Sequence, residues 1–354
     1  MIVGLLGYPI TGKTTLFEAV CGAHHGADVG SVIVPDARFD YIVSVTKPKK
    51  VTPHHIEFQD NAARIEPGEH RSFSTEFFSN ARKMDLLLHV VRGFESPYAP
   101  YHETIDPLRD QRRVEEELIL ADLQIVENRM ERLQKMQVTH QSGTPEQNEW
   151  RILEHLKAEL ESNNPIRLVE LGKEEEQRIR GFQFLSGKPV ICAVNIDEAS
   201  IEQGEASELL EPLKKYCEER HIPLVALSAD IEKEIAQLAP EDRTEFLESM
   251  GIKAPAAYRL IRAVYEALGL ITFFTVGESE VHAWPLRRGE TSVDAAGEIH
   301  SDLARGFIRA EVITFKDLEA CGGYDNAVKS GKMRLEGKEY IVQDGEIVHI
   351  RFKV

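Results

Sequence analysis

Residues 7–14 read Gly7-Tyr8-Pro9-Ile10-Thr11-Gly12-Lys13-Thr14, preceded by the apolar run Ile2–Leu6 and followed by Leu16, Phe17 and Val20 at helical spacing. A strand, a glycine-bounded loop ending in Lys-Thr, and then a helix form the context that a phosphate-binding loop requires. The glycines let backbone amides curl around phosphate oxygens, and the helix N-terminus adds a favourable dipole. Lys13 is placed to pair with the outer phosphates and Thr14 to ligate Mg²⁺. A Gly-rich turn without a ligand is the competing reading, which the flanking strand and helix disfavour.

On either side of that loop the pattern repeats. His55–Asp60 and Leu86–Val91 are further strand candidates with the polar helical stretch Thr75–Lys83 between them, and Pro189–Val194 and Pro223–Leu227 follow later. Short apolar runs separated by helices predict a parallel α/β sheet. The middle of the chain differs. From Asp110 to Met136 there is no Pro or Gly, and Ile119, Leu123, Val126, Met130 and Leu133 keep four-three spacing, the seam of a coiled coil. Thr144-Pro145-Glu146-Gln147 then offers a helix start, and Trp150, Leu153, Leu156 and Leu160 continue it to about Asn163. A projecting antiparallel helical hairpin is expected, with a helical subdomain packed on the body as the alternative. Beyond residue 269, Ile271–Thr275 and Glu280–Trp284 read as a hairpin, Val293–Leu303 as one helix, and Val348, Ile350, Phe352 and Val354 as the buried face of a closing strand. That order describes a small β-grasp module.

Composition narrows the function classes. The 354 residues are 42% hydrophobic and 29% charged, which suits a globular chain of two or three domains. The longest apolar runs, Met1–Leu6 and Leu86–Val91, fall short of the ~18 residues of a membrane helix. With no basic lead at the N-terminus, neither a membrane segment nor a signal peptide is expected, and a cytoplasmic location is. Cys21, Cys192, Cys217 and Cys321 are scattered without a CxxC pair, so a disulfide framework and a zinc site are both disfavoured. A net charge of −17 argues against coating nucleic acid with the whole surface and leaves a local basic patch open.

Other candidate residues follow from their places. Asp60 ends a strand, where an acidic side chain can hold Mg²⁺ through water. Asn195-Ile196-Asp197-Glu198 and Ser228-Ala229 each follow a strand, where α/β folds recognise a nucleotide base. Either alone would be an ordinary loop; their order along the chain makes them mutually supporting.

With these motifs in hand, the chain resembles the Obg-like ATPase (YchF) family over nearly its full length. The resembling stretches include Gly7–Phe17, residues 34–38 (Val-Pro-Asp-Ala-Arg), residues 47–51 (Lys-Pro-Lys-Lys-Val), residues 89–92 (His-Val-Val-Arg), Asn195–Glu198, Gly306–Val312 and Glu336–Gly345. The resemblance implies a Ras-like P-loop NTPase domain, a helical coiled-coil insertion and a C-terminal β-grasp domain of the ubiquitin-like TGS type. The expected boundaries are 1–106 with 184–268 for the nucleotide domain, 107–183 for the insertion and 269–354 for the TGS domain. It also implies nucleotide contacts from Gly7, Ile10, Thr11, Gly12, Lys13, Thr14, Thr15, Asn195, Ile196, Glu198, Ser228 and Ala229, and Mg²⁺ held by Thr14 and Asp60. Relatives that bind guanine use Asn-Lys-x-Asp; here Ile196 replaces that Lys and Glu198 that Asp, which implies ATP rather than GTP.

Departures from the family bear on catalysis. The family's Asp-x-x-Gly becomes Asp60-Asn61-Ala62-Ala63, Arg64 stands where an apolar residue is usual, and the segment between Val20 and Ser31 is short and lacks a Thr. An amide survives the change to Ala63, whereas the freedom of a switch hinge need not. His102 lies in a loop close to the family's proposed catalytic His, with different flanking residues. His102 and Arg64 are therefore the candidate catalytic residues. Three functions stay open: a slow Mg²⁺-dependent ATPase acting as a ribosome- or RNA-associated switch, a nucleotide-sensing binding module with little or no hydrolysis, and, as the weakest reading, a nucleotide site that is purely structural. Arg287, Arg288, Arg305, Arg309 and Arg334 could form an RNA-facing basic surface, against which an ordinary solvated face is the favoured reading.

Overall fold

The computed structural model describes all residues except 23–27, 61–72, 102, 137–143, 204–206, 253, 278 and 354. The chain divides into two compact units, Met1–Ser31 with Glu57–Leu260, and Val32–Ile56 with Ile261–Val354. The segment Val32–Ile56, which the sequence places with the nucleotide domain, is thus grouped with the C-terminal residues.

Strands β1 (Ile2–Leu6), β2 (Val29–Ile33), β3 (Lys50–Thr52), β4 (His55–Gln59), β5 (Leu86–Arg92), β6 (Val190–Asn195) and β7 (Leu224–Leu227) come first along the chain. All but β3 form one sheet in the order β2-β4-β1-β5-β6-β7, in which the pairs β4–β1, β1–β5, β5–β6 and β6–β7 are parallel. The edge strand β2 runs antiparallel to β4, with the Val34 amide donating to the His54 carbonyl and that of Asp60 to the Asp28 carbonyl. Every residue of β5 and β6 is buried, as the central strands of a sheet covered on both faces must be. Leu87, Val91 and Val194 pack on one face with Phe77, Val114, Leu118 and Leu213 from three helices.

The 29-residue helix Pro107–Lys135 starts with Asp106 accepting the amide of Arg109 and Pro107 at the first turn. Ile119, Val126 and Leu133, seven apart, are buried against Leu153, Leu156 and Leu160 of the helix Pro145–Glu161, with Leu123 and Met130 half-buried between them. Heptad spacing drifts by only about 20° on a straight helix, so one stripe meets its partner along several turns.

The second unit carries β8 (Leu270–Val276), β9 (Glu280–Arg287), β10 (Phe307–Ile313), β11 (Arg334–Glu336) and β12 (Ile347–Phe352). Its sheet has the order β11-β10-β12-β8-β9-β3. The short β3 therefore leaves its sequence neighbours and pairs in parallel with β9. The helix Ala37–Thr46 buries Phe39 and Ile42 with Phe274, Val281, Leu318 and Ile347. Arg38 holds both Asp36 and, at 2.8 Å, Asp344.

Two local expectations are corrected. The single helix over Val293–Leu303 is two, Ser292–Ile299 and Ser301–Arg305, because His300 is extended and its Nδ1 accepts the amide of Asp302 to start the second. On β12, Val348 and Ile350 are buried, whereas Phe352 is 45% exposed, and Val354 lies outside the described residues. The same unit holds the helices Phe315–Cys321 and Tyr324–Lys329, of 7 and 6 residues, each too short to show an apolar period in the sequence.

Candidate nucleotide site

Gly7 and Gly12 hold φ values of 146° and 89°, positions where a side chain is strained. A β-carbon at Gly7 would come 2.4 Å from the Val90 carbonyl oxygen, and one at Gly12 2.2 Å from Asn195 Nδ2. The glycines thus serve two needs at once, the turn of the chain and the close approach of β5 and β6. Ile10 also takes a left-handed conformation, at φ 63°, with its side chain half exposed.

Lys13 opens the helix Lys13–Cys21 and its Nζ donates to the carbonyls of Gly7 and Tyr8 at 2.9 and 2.7 Å. The ammonium therefore lies folded over the loop whose amides a phosphate would meet. Thr11 is buried, its hydroxyl donating to the Tyr8 carbonyl, while Thr14 is exposed and Thr15 half-buried. The Thr14 hydroxyl donates to Asp60 Oδ2 at 2.7 Å. A hydroxyl and a carboxylate side by side are hard oxygen donors of the kind Mg²⁺ takes together with waters and phosphate oxygens. Thr14 and Asp60 are the residues that would hold that ion, which would neutralise charge on a bound polyphosphate.

Asn195 ties the site together. Its Nδ2 donates to the Thr11 carbonyl at 3.1 Å, and its Oδ1 accepts the Ala229 amide at 2.9 Å. One buried amide thereby joins the phosphate loop to the Ser228-Ala229 loop. Ile196 is buried with its amide on the Leu227 carbonyl, and with Ser228 it lines a cavity of about 350 Å³ that also includes Ile231, Met250 and Arg259. Glu198, by contrast, is exposed and is absent from that lining. Both candidate catalytic residues, His102 and Arg64, lie outside the described residues, as does Ala63.

Arg92, which the sequence offered only as the end of a resembling stretch, is 1% exposed at the end of β5. A cation closing a strand that is apolar apart from His89, and followed by Gly93, was the signal that could have marked it. Three residues earlier, His89 is fully buried with Nδ1 2.6 Å from Gln111 Oε1; that carbonyl oxygen accepts, so Nδ1 carries the proton. Burial holds the imidazole down at about 4.

Among known proteins, 37% identity over 368 residues relates the chain to the ribosome-binding ATPase YchF of Bacillus subtilis, covering 100% of both. The chain belongs to the YchF family. Other relatives are the ribosome-binding ATPase YchF of Haemophilus influenzae, 38% identical with 99% of each chain covered, and the Obg-like ATPase 1 of rice, 31% identical with 99% of this chain and 92% of that one covered. The family model YchF-GTPase_C, described as a protein of unknown function (DUF933), matches residues 270–353. The structure of the Schizosaccharomyces pombe YchF GTPase superposes with a TM-score of 0.88 at 28% identity, over 99% of this chain and 97% of that one. The YchF fold is therefore shared: a Ras-like P-loop unit with a helical insertion, and a C-terminal β-rich unit. Those names call some relatives ATPases and one a GTPase.

Proposed function

We propose that this YchF-family chain binds ATP at Gly7–Thr15 and hydrolyses it slowly with Mg²⁺, as a regulatory switch that associates with the ribosome in the cytoplasm. The observation that carries the reading is the Thr14–Asp60 pair at 2.7 Å beside the phosphate loop. In this reading the phosphates replace the Gly7 and Tyr8 carbonyls as partners of Lys13, and the loop amides and helix N-terminus stabilise their charge. The preference for ATP is supported by Ile196, which cannot lay a charged stem over guanine, and by the exposed position of Glu198. Ribosome association is carried over from what the relatives' names say of them. The helix pair 107–161 and the C-terminal unit, as coiled coil and TGS domain, supply the surfaces for it. Of the arginines considered for an RNA face, Arg305 pairs with Asp302 and Arg334 with Glu346, while Arg287, Arg288 and Arg309 are exposed.

Single-turnover hydrolysis of Mg²⁺-ATP, with GTP and a Lys13→Ala protein as controls, tests the reading. Wild type should cleave ATP well above both controls. Tight ATP binding with cleavage no faster than Lys13→Ala would move the chain to the second reading, a nucleotide-sensing module, which Ala63 in place of the family's switch glycine favours.

A further inference from the structure

The hydrogen bonds of the Arg92 guanidinium all go to backbone. Nε donates to the Phe94 carbonyl at 3.0 Å, Nη1 to the Ile10 carbonyl at 2.9 Å and Nη2 to the Ala99 carbonyl at 2.7 Å. Its carbon lies 4.2 Å from the Phe94 ring centre and 5.1 Å from that of Tyr101. Among the described residues no carboxylate forms an ion pair with it. A buried cation must recover its lost hydration, and here three carbonyl dipoles and two aromatic faces do so.

The three carbonyls belong to the phosphate loop, the turn after β5 and the stretch that runs up to residue 101. Ile10 is the loop's one non-glycine residue in the left-handed region, and its half-exposed side chain gives packing little purchase on it. The bond from Arg92 holds the Ile10 peptide from its carbonyl side, so a nucleotide that reorients this peptide must also pull on Arg92, and through it on Ala99. Tyr101, stacked on the same guanidinium, donates its hydroxyl to Asp110 on the long helix at 2.7 Å.

We propose that Arg92 is a positioning residue that couples the phosphate loop to residues 94–101, so that nucleotide in the loop is felt in that segment. This rests on the nucleotide-binding reading above, and the coupling acts in both directions because linkage is reciprocal. All three hydrogen bonds of Arg92 go to carbonyls, so a lysine that keeps the charge but lacks the fork cannot reach three of them.

Hydrogen–deuterium exchange with and without Mg²⁺ and a non-hydrolysable ATP analogue tests it, alongside a titration of the same analogue. In wild type, amides of 94–101 should gain protection of at least about 5-fold on binding, the signature of a local opening equilibrium shifted by ligand. In Arg92→Lys that gain should vanish while affinity changes by less than about 10-fold and the phosphate-loop amides remain protected. Were Arg92→Lys to unfold, Arg92→Gln, which has no charge to desolvate, takes its place. An undiminished gain in either variant, or none in a wild type that binds the analogue, overturns the coupling. A wild type that titrates no better than Lys13→Ala overturns the nucleotide reading as well, which tells the two failures apart.

Discussion

Two buried polar clusters in the first unit are built on opposite plans. Around the phosphate loop, Arg92 and Asn195 bond to backbone, and both side chains have their partners. At the foot of the helix pair, Glu115 takes the Arg167 guanidinium, the Tyr216 hydroxyl and, at 3.7 Å, Arg220, while Arg112 and Arg220 sit over the Tyr216 ring. There one carboxylate serves several cations, and Nε and Nη1 of Arg167 have no hydrogen-bond partner. Bonds to backbone fix the path of a loop; bonds between side chains fix only how elements pack. The first plan suits a binding site and the second a joint.

If the joint depends on its single anion, Glu115→Ala should be the most costly change, because it leaves the half-buried guanidinium groups of Arg167 and Arg220 uncompensated. A loss of about 3–5 kcal/mol in urea unfolding is expected, with analogue affinity unchanged; a loss below about 1 kcal/mol would dissolve the contrast. Gly12→Ala should act in reverse. The strained φ and the 2.2 Å approach to Asn195 Nδ2 displace the loop, so affinity should fall about 100-fold, or ~2.7 kcal/mol by titration, with a smaller change in stability.

His89 links the two plans, on β5 beside Arg92 in sequence and bonded to Gln111 of the long helix. Its folded value of about 4 lies below the unfolded 6.5, so the unfolded state takes up the proton first as pH falls. Its contribution is whole above pH 6.5 and is lost between 6.5 and 4, which amounts to about 2 kcal/mol from pH 7 to 5. His89→Asn should flatten that part of the pH–stability curve, and an unchanged slope would show that the imidazole is not held neutral. The smallest effect belongs to the surface of the helix pair, where Arg129 meets Glu149 at 2.7 and 2.8 Å. Arg129→Ala should cost about 1 kcal/mol or less by thermal unfolding.

Much of this was readable in advance for a physical reason. The strand–loop–helix at Ile2–Val20 carries its own instructions, since glycine at 7 and 12 and Lys-Thr at 13 and 14 are local requirements of one local shape. The heptads of Ile119, Val126 and Leu133 are likewise a property of a single helix. What escaped were long-range choices. Residues 50–52 are too short to announce a strand, and only the open edge of β9 makes one of them. His300 breaks a helix whose apolar spacing runs straight through it.

By itself the sequence determined the phosphate loop, the parallel order of strands and the long helices, because backbone conformation and periodicity are set by neighbours within a few turns. Only the tertiary structure decided that Val32–Ile56 packs with the C-terminal unit and that Asn195 joins two loops. It alone placed the charge of Arg92 on the carbonyls of Ile10 and Ala99. A buried polar group takes whatever partner the fold brings within 3 Å, and no local pattern names a partner 82 or 184 residues away.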